Sequence, residues 1–425
     1  MATQTVQPAR RRTIVAWALY DWANSSYTTV IVTFVFAAYF ARGVVKDVEL
    51  GTALWGTVAS LSGLAIAILG PILGAIADKG GRRLPWVAAF TLLCVLASAG
   101  MWFVLPDPAY ILLAMVLVVL GTMGFELAQV FYNALLPDIA PKDQIGRVSG
   151  WAWGTGYAGG LVCLVLALVL LVQPNPPLFG LDAASAEPVR ATPLLVAAWF
   201  AFFSLPLFLW VPDRPGTGLP AGTAIREGLR ELVRTVATAR RHALVFRFLI
   251  ARMIYTEGIN TLFAFGGIYA AGTFGMAFEE ILIFGIILNV TAGLGAAGFA
   301  WIDDRIGARR TILIALVALV VLGAGLLVVE SKLWFYILGS ALGIFVGPAQ
   351  AASRSLMAHL APPQLTGEMF GLFALSGKVS SFIGPALVAW LTLATASQRW
   401  GMSVIIVLMA LGGLLLLTVR PVRAD

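Results

Sequence analysis

The chain has 425 residues, 60% hydrophobic and 12% charged, with a mean hydropathy of +0.91. A soluble domain carries about a quarter charged residues, so this composition excludes a water-soluble fold and requires contact with lipid. The formal charge of +7 sits in short segments between apolar runs, which is the pattern of loops at a membrane face and argues against nucleic-acid binding.

In lipid the backbone must close its own hydrogen bonds, as helices or as a closed barrel. Barrel strands alternate apolar and polar residues over about ten positions. The runs here are continuous and helix-length. The expectation is an all-α membrane protein of twelve transmembrane helices in two six-helix halves.

The first run, 14–40, follows Arg10, Arg11 and Arg12. It is too long for a signal peptide and ends at no small-residue cleavage site, so it reads as an uncleaved first span. It carries Asp21, with Asn24 one turn later. The second run, 52–77, leads into a loop containing Gly74, Asp78, Lys79, Gly81, Arg82 and Arg83. The third run is 85–105. The fourth, 109–134, holds Glu126, with Gln129 and Asn133 at i+3 and i+7 on the same face. Runs 148–172 and 192–211 complete a first half, residues 1–211.

Residues 212–245 read as a cytoplasmic linker. It opens on a turn, Pro212 to Gly216. From Ala224 it becomes an amphipathic helix, with Ile225, Leu229, Leu232, Val233 and Val236 on one stripe and Arg226, Glu227, Arg230, Glu231 and Arg234 elsewhere. Such a helix lies on the membrane face. The second half, 246–425, contains runs 246–271, 279–301, 311–329, 333–358, 368–394 and 400–419. The first of these carries Arg252, Glu257 and Asn260. After the second comes a loop with Asp304, Arg305, Gly307, Arg309 and Arg310. The fourth holds Gln350 and Arg354, and the fifth Lys378.

Of the 28 Lys and Arg residues, Arg42, Lys46, Arg190, Lys332 and Arg399 fall on the side away from the amino terminus. Arg252, Arg354 and Lys378 lie within spans or at their ends. All others are on the amino-terminal side, which predicts that both termini are cytoplasmic. The halves also repeat. The loop Gly74 to Arg83 has its counterpart in Asp304 to Arg310. Ala128-Gln129, Ala140-Pro141, Gly146 and Gly150 recur at one constant offset as Ala349-Gln350, Ala361-Pro362, Gly367 and Gly371. Two related halves in parallel order, with a solute site between them near the midplane, are a transporter architecture. The loop residues read as a gate: glycines for close approach, and a carboxylate able to pair with Arg or to cap a neighbouring helix.

These segments resemble the major facilitator superfamily. Gly74 to Arg83 is similar to its signature between the second and third spans. Tyr20 to Tyr27, Phe131 to Ala140, Gly146 to Gly150, Ser353-Arg354-Ser355 and Gly377-Lys378 through Gly384-Pro385 resemble the "unknown major facilitator" family, which includes relatives of the vacuolar amino-acid effluxers linked to autophagy. The resemblance covers nearly the whole chain. Tyr255-Thr256-Glu257-Gly258 stands where that family has Tyr-Asn-Asp-Gly, a longer acid at the same place. The resemblance implies a transporter, with amino acids as one solute class, and a central cavity lined by spans one, four, seven and ten.

Charges inside a bilayer are costly and usually face a cavity. Glu257, Glu126 and Asp21 are therefore the candidates for proton coupling, because a carboxylate in a dry cavity can take a proton from one side and release it to the other. Glu257 leads, being near mid-span with Arg252 five residues away and off its helical face. Asn24, Gln129, Asn133, Asn260, Gln350, Arg354 and Lys378 are candidates for lining the cavity. Asp21 has a second reading as the partner of an Arg, Arg354 as a structural ion pair, and Lys378 as the partner of a carboxylate. Arg252 reads as interfacial, and Trp22, Trp151 and Trp153 read as packing residues.

No His-Glu-x-x-His, phosphate-binding Walker loop or Gly-x-Ser-x-Gly pattern occurs, so an enzyme is not expected. Only His242 and His359 are present, and Cys94 and Cys163 both fall in apolar runs as small buried hydrophobes. Neither a metal nor a cofactor is expected. The partners expected are a small solute, protons and the lipid bilayer, and the protein is expected to be a monomer in a bacterial inner membrane. The alternatives are a proton-coupled drug antiporter and, in another class, a non-transporting receptor or scaffold.

Overall fold

The computed structural model describes residues 11–237, 242–276 and 278–419. Arg10, the basic residues at 420–423 and linker residues 238–241 lie outside the described residues. Regular structure among the described residues is helical throughout. Span one is Arg11–Val44. Spans two to six are Val48–Gly80, Leu84–Gly100, Ile111–Ile139, Ile145–Leu166 and Thr192–Trp210. The linker helix is Ala221–Ala237. Spans seven to ten are Ala243–Phe274, Phe278–Ile306, Ala308–Val328 and Lys332–Leu360. Span eleven is two segments, Thr366–Ser376 and Ile383–Thr395, and span twelve is Gln398–Leu416.

Local chemistry places these ends. Spans three and six begin with proline in their first turn, where the missing N–H costs nothing. Span ten begins at Ser331, whose side chain accepts the Leu333 N–H. Gly81 and Gly307 lie within the two basic loops, each just past the end of a span, at φ +83° and +87°, a conformation open to glycine at little cost. Span one departs from α geometry at Tyr27–Phe34 and Phe40–Val44, which are π-helical. Such bulges concentrate at functional sites.

Ten described helices are long and apolar enough to cross a membrane. Spans seven and eleven stand apart from that set: span seven carries Arg252 and Glu257, and span eleven is interrupted at 377–382. On the outside of the bundle, Leu96, Leu112, Phe202 and Leu393 are exposed, as lipid contact allows.

The packing repeats. Spans one and six pair, as do seven and twelve; three and four pair, as do nine and ten. The halves meet where span two packs on span eleven and span five on span eight. These contacts are close because small residues line them. A Cβ on Gly74 would run into the Gly367 carbonyl, and one on Gly371 into the backbone of Gly70 and Pro71. The linker helix lies against the end of span two, with Gly228 on Ala75 and Ile76 and Lys79 3.3 Å from Glu231.

Candidate functional site

The two basic loops close one face of the bundle, here termed the basic face. Asp78, at the end of span two, accepts the backbone N–H groups of Gly367 and Glu368, both at 2.9 Å, across the boundary between the halves. These are orphan donors of the first turn of span eleven, where the helix dipole also favours a negative charge. The other half does the same. Asp304, at the end of span eight, accepts the Arg147 N–H at 2.9 Å, at the start of span five, and pairs with the Arg147 side chain at 3.1 Å. Arg83 is buried and joins Asp78, Asp138 and the Ala134 carbonyl. Arg214 binds Asp138 and reaches the Pro363 carbonyl of the other half at 2.9 Å. Arg309 donates to the Leu416 and Leu417 carbonyls, while Arg82, Arg305 and Arg310 are exposed.

Further into the bundle lies a second link. The Arg354 guanidinium is fully buried. It pairs with Asp21 at 2.8 Å and donates to the Ser149 hydroxyl and carbonyl. Asn133 lies at 3.4 Å, and Trp17 and Trp153 flank the guanidinium. Asn24 lies at 3.4 Å from Asp21. Gln350 accepts from Trp153 and from Tyr157 at 3.0 Å, and Gln129 is half-buried.

A cavity of about 230 Å³ lies among spans one, two, four and eleven. Its polar lining is Tyr27, Thr28, Ser62, Thr122, Glu126 and Lys378. Lys378 Nζ meets Glu126 Oε1 at 2.6 Å. This ion pair crosses between the halves, with side chains 32% and 22% exposed, so it is reachable from the cavity.

The expectation that Asp21, Glu126 and Glu257 share one cavity does not match this arrangement. Glu126 lines the cavity, but Asp21 is spent on Arg354. Glu257 is buried against span eleven, accepting the Gly384 N–H at 2.8 Å and the Ser380 hydroxyl at 3.2 Å. It is not an unpaired carboxylate. Arg252 is not interfacial either: it donates to the Phe373 carbonyl at 2.6 Å and to Ser376 at 2.7 Å. Asn260 lies 3.5 Å from the Gly377 carbonyl, also on span eleven. The physical reason is common to all: a buried charge is tolerated only with a partner, and each found one on a helix distant in sequence.

The sequence matches the family described as "Vacuole effluxer Atg22 like" over residues 142–424 and the Major Facilitator Superfamily over residues 3–164. The chain belongs to the Atg22-like family. The Bacillus subtilis "Uncharacterized MFS-type transporter YxiO" is 28% identical over 93% of this chain and 92% of its own length. "Autophagy-related protein 22" of Coccidioides immitis is 24% identical over 82% of this chain and 69% of its own. Among solved structures, the human organic anion transporter MFSD10 aligns with a TM-score of 0.73 at 16% identity, covering 96% of this chain and 100% of that one. The proton:xylose symporter XylE aligns at 0.71 and 15% identity, covering 97% and 96%. At those identities the likeness is one of fold: the twelve-helix fold of major facilitator transporters. The Atg22-like chain is thus an integral membrane protein of a transporter family.

Several residues of this family member's site carry no signal in the sequence taken alone. Asp138, Asp213 and Arg214 complete the basic-face lock, and Asp213 accepts the Arg83 N–H at 2.9 Å. Pro137-Asp138 and Pro212-Asp213-Arg214-Pro215 are visible as turn-like charged segments, but nothing local shows that they meet. Ser149 lies in the Gly146 to Gly150 segment that carries the family resemblance, but nothing local shows that it meets Arg354.

Proposed function

We propose that the chain is a secondary transporter that carries a small polar solute by alternating access, with the Glu126–Lys378 pair as its solute site. The pair itself supports this most directly. It lines a cavity, and each partner comes from a different half. Rocking the halves must disturb it, and separating such a pair away from water is costly unless each charge finds a new partner. A solute carboxylate can take over Lys378, and a solute ammonium group can take over Glu126. An α-amino acid carries both, so amino acids are the first class to test. The hydroxyls of Thr28, Ser62 and Thr122 supply neutral hydrogen-bonding groups beside the pair.

Glu126 is also the coupling carboxylate in this reading, displacing Glu257 and Asp21, which are committed to other partners. Protonating Glu126 releases Lys378 to a solute, and deprotonation restores the ion pair. The basic face is cytoplasmic by its excess of Lys and Arg, and the protein works as a monomer in a bacterial plasma membrane. The test is the purified protein in liposomes, screened with amino acids and other metabolites for counterflow and pH-driven uptake. Glu126→Gln should abolish pH-driven uptake and weaken exchange at fixed pH, since it also removes the partner of the solute ammonium, whereas Lys378→Met should remove both. Full pH-driven uptake by Glu126→Gln would overturn the coupling role. Failure of the parent protein to move any solute would return the receptor or scaffold reading.

A further inference from the structure

A helix that breaks within a bilayer exposes backbone groups that water cannot satisfy. Span eleven breaks at 377–382. The Gly377 and Lys378 N–H groups turn to the Ala374 and Leu375 carbonyls, three residues back, so the Phe373 carbonyl loses the Gly377 donor that a continuous helix would give it. On the far side of the break, the Gly384 N–H has no partner at Ser380.

Span seven supplies a partner at both ends, alongside the Ser376 hydroxyl, which also donates to the Phe373 carbonyl at 2.8 Å. Arg252 donates to the Phe373 carbonyl, and its guanidinium lies over the Phe373 ring, 3.5 Å from its centre. Glu257 accepts the Gly384 N–H with one oxygen and the Ser380 hydroxyl with the other. The cation thus sits at the carboxyl end of the first segment and the carboxylate at the amino end of the second, the signs that the two helix dipoles favour. Five residues apart on one helix, the two side chains are separated by about 7.5 Å of rise, enough to straddle the break. Gly384 permits this approach, because a Cβ there would collide with Thr261 and crowd Glu257. Lys378 lies inside the break, and its amine meets Glu126.

We propose that Arg252 and Glu257 are positioning residues, which hold span eleven broken and so present Lys378 to Glu126 and to the solute. Broken transporter helices commonly offer their free ends to substrate or ion. Here both ends are occupied by side chains of span seven, and the break serves to aim a lysine. The proposal rests on the reading of the Glu126–Lys378 pair as the solute site.

The experiment combines peptide-resolved hydrogen exchange with the rate of Lys378 acetylation by an amine-reactive reagent, on the full-length protein in nanodiscs. Glu257→Ala and Arg252→Ala should each raise exchange of the amides at 377–384 at least tenfold, with spans three and twelve unchanged. Each should also raise Lys378 acetylation towards the rate in Glu126→Gln, which breaks the pair directly. Glu257→Gln, the milder variant should the alanine form misfold, should show the same direction, and Glu257→Asp should recover part of the protection. A Lys378 rate equal to the parent's in the span-seven variants overturns the proposal, as does unchanged exchange at 377–384. An unchanged rate in Glu126→Gln instead overturns the reading of the pair, while the exchange data still decide whether span seven holds the break.

Discussion

Asp78→Asn tests the lock on the basic face. Asp78 makes three contacts, but only two cross between the halves: the bonds from the Gly367 and Glu368 N–H groups. The Arg83 pair lies within the first half, so separating the halves does not require breaking it and it is left out of the sum. Asparagine keeps one acceptor oxygen and turns an NH₂ towards the other N–H. One charge-assisted bond is lost and the other weakens. Hydrogen bonds to charged groups contribute about 1.5–3 kcal/mol each. Removing the charge also relieves repulsion from Glu368, which is fully buried beside it. The net loss is about 2–3 kcal/mol, a shift towards the open face of roughly 30- to 150-fold. Spin labels at Arg82 and Gln364, both exposed and one on each half, report the distance after replacement of the buried Cys94 and Cys163. The label distance should lengthen or broaden, and adding Asp304→Asn should extend the change. A double variant with the parent's distance distribution would show that these carboxylates do not hold the face shut.

Arg354→Met should lower stability by about 3–5 kcal/mol, because it strands Asp21 in a buried site; adding Asp21→Asn should recover a large part of that, and an equally unstable double variant in thermal unfolding would contradict the account. Gly74→Val should hold the basic face open, since even a Cβ there meets the Gly367 carbonyl; labelling of a cysteine placed at Glu368, fully buried in the parent, should then rise several-fold. Glu231→Ala should change stability by less than about 1 kcal/mol, because the Lys79–Glu231 pair is partly exposed, at 30% and 26%; a larger loss in thermal unfolding would give the linker helix a locking role that this pair does not explain.

The basic loops are legible in the sequence because each is a local string with a copy elsewhere. The repeat alone marks Asp78 and Asp304 as equivalents, and both cap a helix start in the opposite half. Intramembrane charges are legible one by one, since each is rare against an apolar background. Their partners are not. Lys378 and Glu126 lie 252 residues apart in the chain yet 2.6 Å apart in space, and helical spacing says nothing across helices.

Composition, run length and the internal repeat determined that this chain is a twelve-helix membrane protein of two related halves, because solvation by lipid constrains every residue of a span in the same way and leaves its mark on the whole sequence. Which carboxylate faces the cavity was decided by tertiary structure alone. Asp21, Glu126 and Glu257 are alike as intramembrane acids, and they differ only in what packed beside them: a guanidinium, a lysine at the edge of a cavity, and the open end of a broken helix. In a medium without water a charge must find its partner within the protein, and that partner is fixed by how the helices meet.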